Sequence, residues 1–540
     1  MDAEKRGVEA MVQAFVLQAG GDVRLAEICQ RAMAQEEEGG VCLPVTAEEA
    51  EWLKASPLVS SAPDAKGLLV LDGGRLYTRR NWDYERLVRE RVAQMVAARP
   101  ANAAMQIPSD GVFGKLKECQ REAIRQMGNR CFTIMTGGPG TGKTYTIARA
   151  VKLIKDQIPG LKLGLAAPTG KAAARVKEAM DEEAKTLGLG DIETSTLHRL
   201  LDPNYDFVTF KHSHDNPLDL DWLIVDEASM VSLSMMAKLL DALPEKCRLT
   251  LVGDAFQLSS VEPGRVFGDL CKMKLVRESG CLCELTESSR FKEGGEIATL
   301  AGFIKAGDAA KALGFLKQDG NRLVHYHCLK KADGGEGDNS QHLFNRLVED
   351  LFADFCSQGT AEGALDALNR CRILCAVRKG TFGCEKLNDR VRRRMQRNYP
   401  NCPIPWMITR NDRTLDVSNG DVGVVMADDR GATLSLPAVA KQDGGEDQGA
   451  PWRIPLELLP EREMAFASTI HKAQGSEYRD VVIVLPPASE DRATKGNMML
   501  TRELLYTALT RTKGEIHLFA DDQSIEECCR NETKRNTGLE

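Results

Sequence analysis

Three groups of residues in this 540-residue chain have the types and spacing to do chemistry together. The first is Gly137-Gly138-Pro139-Gly140-Thr141-Gly142-Lys143-Thr144, a G-x-x-x-x-G-K-T phosphate loop. Glycines let the backbone wrap closely around an anion. The N–H groups of the loop and of the helix start behind it then point at phosphate oxygens. Lys143 would reach the β- and γ-phosphates, and the Thr144 hydroxyl would hold Mg²⁺. The second group is Asp226-Glu227, where an Asp can hold Mg²⁺ and a neighbouring Glu can polarise an attacking water. A lone Asp-Glu pair is ordinarily a solvated loop; its place after Leu223-Ile224-Val225, downstream of a phosphate loop, favours the chemical reading.

The third group is more scattered. Gln257 follows the next apolar run and could sense a γ-phosphate through its neutral amide. Gln120, upstream of the loop, could read an adenine edge, because an amide offers both donor and acceptor. A plain surface-helix Gln is the alternative there. Phosphoryl transfer needs positive charge on the transition state, usually from Arg, and Arg290 and Arg511 are the candidates. If ATP binds between two domains, Arg511 would cap it from the far side. The cofactors implied are ATP and Mg²⁺.

These residues need strands and helices to hold them. From 105 to 291, strands and helices alternate as in a doubly wound α/β domain. Cys131–Met135, Leu163–Ala167, Trp222–Val225 and Arg248–Val252 read as buried strands that deliver the loop, Pro168-Thr169, Asp226 and Gln257. From 292 to 540 a second α/β domain is expected, with strands at Leu323–Tyr326, Ile373–Ala376, Val481–Leu485 and Ile516–Phe519. Within it, about 401–462 breaks into short strands, read as a small β-barrel insertion. Residues 1–104 read as a mostly helical module for partner docking, with one hairpin around Asp72-Gly73-Gly74. The fold expectation is α/β with two RecA-like doubly wound P-loop domains.

Net charge is −7, which argues against a surface coated in positive charge for DNA but leaves room for a local basic groove. Hydrophobic residues make up 43% of the chain, with no apolar run long enough to span a bilayer. The first residues lack the layout of a secretory signal, so a cytoplasmic location is expected. The 16 cysteines are scattered and lack paired zinc spacing, so buried reduced thiols are the expectation.

Taken in order, the phosphate loop, Ala167-Pro168-Thr169-Gly170-Lys171, Asp226-Glu227-Ala228-Ser229, Val252–Leu258, Ser468–Glu477 and Tyr506–Arg511 resemble the motif set of superfamily 1 helicases. Arg378-Lys379-Gly380, Asn419-Gly420-Asp421 and Thr501–Tyr506 narrow the resemblance to the RecD family, the alpha subunits of exodeoxyribonuclease V. That resemblance implies a motor moving 5′ to 3′ on single-stranded DNA, beside RecB-like and RecC-like subunits in double-strand break repair. By motif match it implies DNA contacts from Pro168, Thr169, His198, Thr469 and His471, and nucleotide contacts from Gln474 and Glu477. The segment Phe207–Phe210 stands where relatives carry a duplex-splitting hairpin. Standalone helicases of the family carry a longer N-terminal extension, so a subunit is the expectation. No carboxylate cluster of nuclease layout stands out, which leaves cutting to a partner. A regulatory ATPase and a standalone superfamily 1 helicase are the rival readings.

Overall fold

The computed structural model describes residues 2–62, 67–100, 106–109, 111–190, 192–204, 209–287, 295–329, 337–412, 414–428, 431–437, 451–488 and 500–539. Arg290, and Phe207 and Val208 of the Phe207–Phe210 segment, lie outside them.

The N-terminal region pairs helices with a four-stranded sheet, so it is less purely helical than its apolar spacing implies. Strands β1 (Cys42–Pro44), β2 (Val59–Ser61), β3 (Leu69–Asp72) and β4 (Arg75–Thr78) pair in the order β1-β4-β3-β2. The β3–β4 hairpin turns at Gly73 and Gly74, both at positive φ (55° and 74°), as an Asp-Gly-Gly turn requires. The following helix, Arg79–Ala97, buries Val88, Val92 and Met95 in a core shared with Met236, Leu239 and Leu240 of helix Leu233–Ala242. Arg91 donates to the Leu240 and Leu243 carbonyls at 3.1 and 2.9 Å, which satisfies the open end of that helix.

Strands β5 (Phe132–Gly137), β6 (Leu163–Ala167), β7 (Thr194–Thr196), β8 (Trp222–Val225), β9 (Arg248–Gly253) and β10 (Leu282–Leu285) form a six-stranded sheet. Its order is β10-β5-β9-β8-β6-β7 and every pairing is parallel. β8 and β9 are buried at every position, which fits continuous apolar runs covered on both faces. The register pairs Thr136 with Gly253 and Val225 with Leu251. The carboxyl ends of β5, β9 and β8 therefore lie side by side.

The second parallel sheet uses β11 (Val324–Cys328) and β12 (Cys371–Cys375). The chain then leaves it for β13 (Ile404–Ile408), β14 (Val422–Asp428), β15 (Gly431–Leu436), β16 (Trp452–Pro455) and β17 (Arg462–Met464). It returns through β18 (Ala467–Thr469), β19 (Asp480–Val484) and β20 (Ile516–Ala520). The main sheet runs β11-β20-β19-β12-β18, all parallel; the excursion is an antiparallel sheet in the order β16-β15-β14-β13-β17.

Past β20, helix Asp522–Arg530 leads to a tail that crosses back to the N-terminal region. Buried Glu85 accepts from Tyr77 Oη, Thr537 Oγ1 and the Gly538 amide at 2.9–3.0 Å, and Val41 N donates to the Asn536 carbonyl at 2.8 Å. Arg535 donates to the carbonyls of Glu262 and Gly264. The tail thus binds three regions distant in sequence.

The cysteine expectation needs one correction. Cys356 and Cys402 are joined by a disulfide, with their Cα atoms 4.2 Å apart, where the end of helix Gly337–Cys356 meets the segment before β13. They stand 46 positions apart, so spacing gave no hint of the pair. The other cysteines form no disulfide, and all are buried except Cys119 and Cys328. Among the described residues no helix is long and apolar enough to cross a membrane.

Candidate functional site

The loop after β5 closes on itself around Lys143. Its ammonium donates to the Gly137 and Gly138 carbonyls at 2.8 and 3.2 Å, and Thr141 Oγ1 donates to Gly138 O at 2.9 Å. Gly140 and Gly142 sit at φ 75° and 82°, a region that strains any residue with a Cβ. Gly142 starts helix Lys143–Gln157 and has a second reason to be glycine: a Cβ there would lie 2.6 Å from Gln120 Nε2. A Cβ on Gly137 would meet Thr141 Oγ1 and the Leu285 carbonyl below 3.0 Å. Pro139 and Thr144 complete the loop. Gln120 is buried against it; its amide donates to the Thr141 carbonyl at 3.4 Å, while its oxygen accepts from the Lys117 amide.

Asp226 lies at the carboxyl end of β8 and is buried. Burial, and next the charge of Glu227, push its carboxyl above the usual carboxylate range; nearby Lys143 pulls it back. Glu227 itself takes φ 50°, a left-handed conformation that costs a non-glycine residue energy. In that turn the Glu227 amide donates to Asp226 Oδ1 at 2.8 Å.

At the end of β9 stands a residue that sequence reading passed over as a site group. Asp254 Oδ2 accepts from Tyr506 Oη at 3.0 Å and from Gln257 Nε2 at 3.4 Å, while Oδ1 accepts from the Phe256 amide. Burial raises the Asp254 carboxyl, and burial with the Asp254 charge holds Tyr506 well above its ordinary value, so the hydroxyl stays a donor. Tyr506 belongs to helix Arg502–Leu509, before β20. Its hydroxyl also reaches the phosphate loop, lying 3.2 Å from where a Gly138 Cβ would be. Both residues fell inside quoted motifs; no local pattern could show that they meet.

The same two units touch at further points. Thr507 Oγ1 accepts from the Leu258 amide at 2.9 Å, and Gln474 Nε2 donates to the Leu258 carbonyl at 2.7 Å. Arg175, on helix Gly170–Leu187, forms an ion pair with Glu477, which Lys513 also approaches at 3.2 Å. Arg175 is a second residue that sequence reading missed. Arg511 is 2% exposed and donates to the Thr507 and Ser476 carbonyls, both at 3.3 Å. Burial lowers its pKa, opposed first by the charge of Glu227 on the other unit. Arg511 is therefore near enough to Glu227 to feel its charge across the joint.

Pro168 and Thr169 follow β6, and the Thr169 hydroxyl caps helix Gly170–Leu187 by accepting from the Ala172 amide at 3.2 Å. His198 is exposed on the short helix after β7, its ring 5.9 Å from Phe210. On the second sheet Thr469 ends β18, and the half-buried His471 follows it. Burial, then the Arg535 charge, push the His471 imidazole down to about 4, so it is neutral at pH 7.

Comparisons with known proteins fit this arrangement. The AAA domain family profile matches residues 120–263, and the UvrD-like helicase C-terminal domain profile matches 464–519. RecBCD enzyme subunit RecD of Mycolicibacterium smegmatis is 37% identical over 510 residues, covering 90% of this chain and 85% of that protein. The chain belongs to the RecD family. RecBCD enzyme subunit RecD of Haemophilus influenzae is 34% identical, covering 78% of this chain and 71% of the relative. The ATP-dependent RecD2 DNA helicase of Deinococcus radiodurans is 28% identical across 90% of this chain but 60% of its own length. Membership in the RecD family makes this chain a helicase-type ATPase whose two profile matches fall on its two parallel sheets.

Proposed function

We propose that this RecD-family chain is the ATP-dependent helicase subunit of a RecBCD-type exodeoxyribonuclease V, moving 5′ to 3′ on single-stranded DNA. It acts in the cytoplasm at DNA ends during double-strand break repair, beside RecB-like and RecC-like subunits, with the nuclease on a partner. The observation that carries the reading is the joint between the two parallel sheets. Tyr506 of the second unit donates to Asp254 of the first, and the buried Arg511 of the second unit feels the charge of Glu227 on the first.

The site fits a nucleoside triphosphate with its cation. Left-handed glycines shape a backbone cradle, Lys143 is held at its rim, and a buried carboxylate with a raised pKa lies nearby. In our reading Gly137, Gly138, Pro139, Gly140, Thr141, Gly142, Lys143 and Thr144 bind the phosphates. Gln120 lies on the base side, and Gln474 and Glu477 complete the nucleotide site from the second unit. Thr144 and Asp226 would hold Mg²⁺, which neutralises phosphate charge when bound. Glu227 orients the attacking water and Gln257 senses the γ-phosphate. Arg511 supplies positive charge from the second unit, so that hydrolysis depends on closure of the cleft.

The domain bounds we propose are 1–104, 105–291 and 292–540, with the antiparallel excursion at about 401–462 curling towards a small barrel. Pro168, Thr169, His198, Thr469 and His471 lie at or just past the carboxyl ends of β6, β7 and β18, and in this reading they touch the DNA strand. Helix Asp2–Gln18 leaves Met11 65% and Phe15 58% exposed, which suits a docking surface for a partner subunit.

The test is ATP-dependent unwinding by the purified chain on duplexes with a 5′ or a 3′ single-stranded tail, with Lys143→Ala as control. Opening of the 5′-tailed duplex alone, lost in the control, is the expected result. ATP turnover stimulated by single-stranded DNA without opening would make the chain a translocase that needs its partners. Turnover indifferent to DNA would overturn the motor and favour a regulatory switch.

A further inference from the structure

The edge of the second parallel sheet carries a cluster that ATP-driven movement does not use. Strands β11 and β20 run parallel with His325 opposite His517. Side chains alternate along a strand, so His325 and His327 share a face with Glu515 and His517. On the other face of β11, Tyr326 bonds to Asp522 at 2.9 Å. The two imidazoles His325 and His517 stack with centroids 4.7 Å apart. Both turn Nε2 towards Glu515 Oε2, at 3.6 Å from His325 and 3.8 Å from His517.

Those separations are too long for hydrogen bonds, which end near ~3.2 Å. They are close to the edge of a tetrahedron around zinc, about 3.4 Å for ligand bonds of about 2.0–2.1 Å. One donor atom from each of the three residues lies within 4.8 Å of the others. A fourth group supports them. His327 Nε2 lies 3.2 Å from His517 Nδ1. If Nδ1 carries the proton and donates to His327, the lone pair of His517 Nε2 is left pointing at Glu515. Metal-binding histidines are commonly oriented in this way, by a hydrogen bond from the ring nitrogen that does not bind metal. Glu515 is half-exposed and His325 a third exposed, so an ion can enter from solvent, while His517 is 11% exposed and anchors the far side.

We infer that His325, Glu515 and His517 form a transition-metal site, best suited to Zn²⁺, which fastens edge strand β11 to β20. Two nitrogens and one carboxylate oxygen suit zinc, with a water in the fourth position. β11 pairs with one neighbour, β20, so a cross-strand ion would secure the strand that opens the second unit.

The experiment uses the full chain stripped with EDTA, then given Zn²⁺, or Co²⁺ as a spectroscopic probe. The expected result is one retained ion per chain, a rise of about 5 °C in the thermal midpoint, and tetrahedral Co²⁺ absorption. Glu515→Gln and His325→Gln should each abolish all three. His327→Phe should keep the spectrum and weaken binding about 10–100-fold. ATP turnover, which this site does not serve, shows that each variant is folded. Failure of the wild-type chain to retain zinc after dialysis would overturn the proposal. So would equal retention and an equal shift in the Glu515→Gln/His325→Gln double variant.

Discussion

The two parallel sheets are built alike and used differently. In the first, the loops after β5, β8 and β9 carry the Lys143, Asp226 and Asp254 clusters at adjacent strand ends, where doubly wound folds place ligands. The second has no phosphate loop. What it brings to the joint lies before β19 and β20: Gln474, Glu477, Tyr506 and Arg511. A fold can thus be repeated without repeating its chemistry. In the function we propose, one copy holds the reacting groups and the other makes their use conditional on its own position.

The sharpest way to break that comparison is Arg511→Ala. If the second sheet supplies transition-state charge, maximal ATP turnover should fall about 10³-fold or more while nucleotide affinity changes little. Steady-state turnover together with nucleotide titration separates the two. A loss under ten-fold would reduce Arg511 to a buried structural residue that holds the Ser476 and Thr507 carbonyls. Lys143→Ala, on the first sheet, should cost about 10²–10³-fold in turnover and weaken nucleotide binding as well. Arg511→Ala and Lys143→Ala therefore differ in binding rather than in rate alone.

Glu85→Ala tests whether the tail holds the units together. It strands the Tyr77, Thr537 and Gly538 donors around a buried position, at a cost of about 3 kcal/mol. A lower thermal midpoint is expected, with unwinding lost before basal ATP turnover. Equal loss of both would mean that the tail merely stabilises the fold. The smallest effect is assigned to Tyr506→Phe, which removes the hydroxyl bonded to Asp254. DNA-stimulated turnover should drop about ten-fold with DNA-independent turnover nearly unchanged. An unchanged stimulation ratio would show that this contact does not couple the sheets.

Much of this was legible in the residues. Continuous apolar runs such as Trp222–Val225 and Val481–Leu485 announce strands buried on both faces, and both are such strands in the structure. Gly-rich spacing before a helical stretch placed the phosphate loop on a strand, turn and helix start. Short elements were harder. β7, β10 and β18 are three or four residues long, and their pairing is decided by a neighbouring strand rather than by local pattern. The sheet of the N-terminal region was underestimated for the same reason. Arg290, a candidate on the charge requirement of phosphoryl transfer alone, falls outside the described residues.

Local chemistry therefore determined which residues form the cradle, because positive φ, strand burial and helix starts depend on a few adjacent side chains. It determined the two α/β units as well, since periodicity is a property of short segments. Contacts across long separations were decided by the tertiary structure. Tyr506 is 252 positions from Asp254, Arg175 meets Glu477 across the joint, and Cys356 meets Cys402 through a turn of chain that no spacing rule describes. The physical reason is that such pairs are made by the packing of whole sheets and helices. Their geometry follows from how the two cores close on each other, and no stretch of sequence contains it.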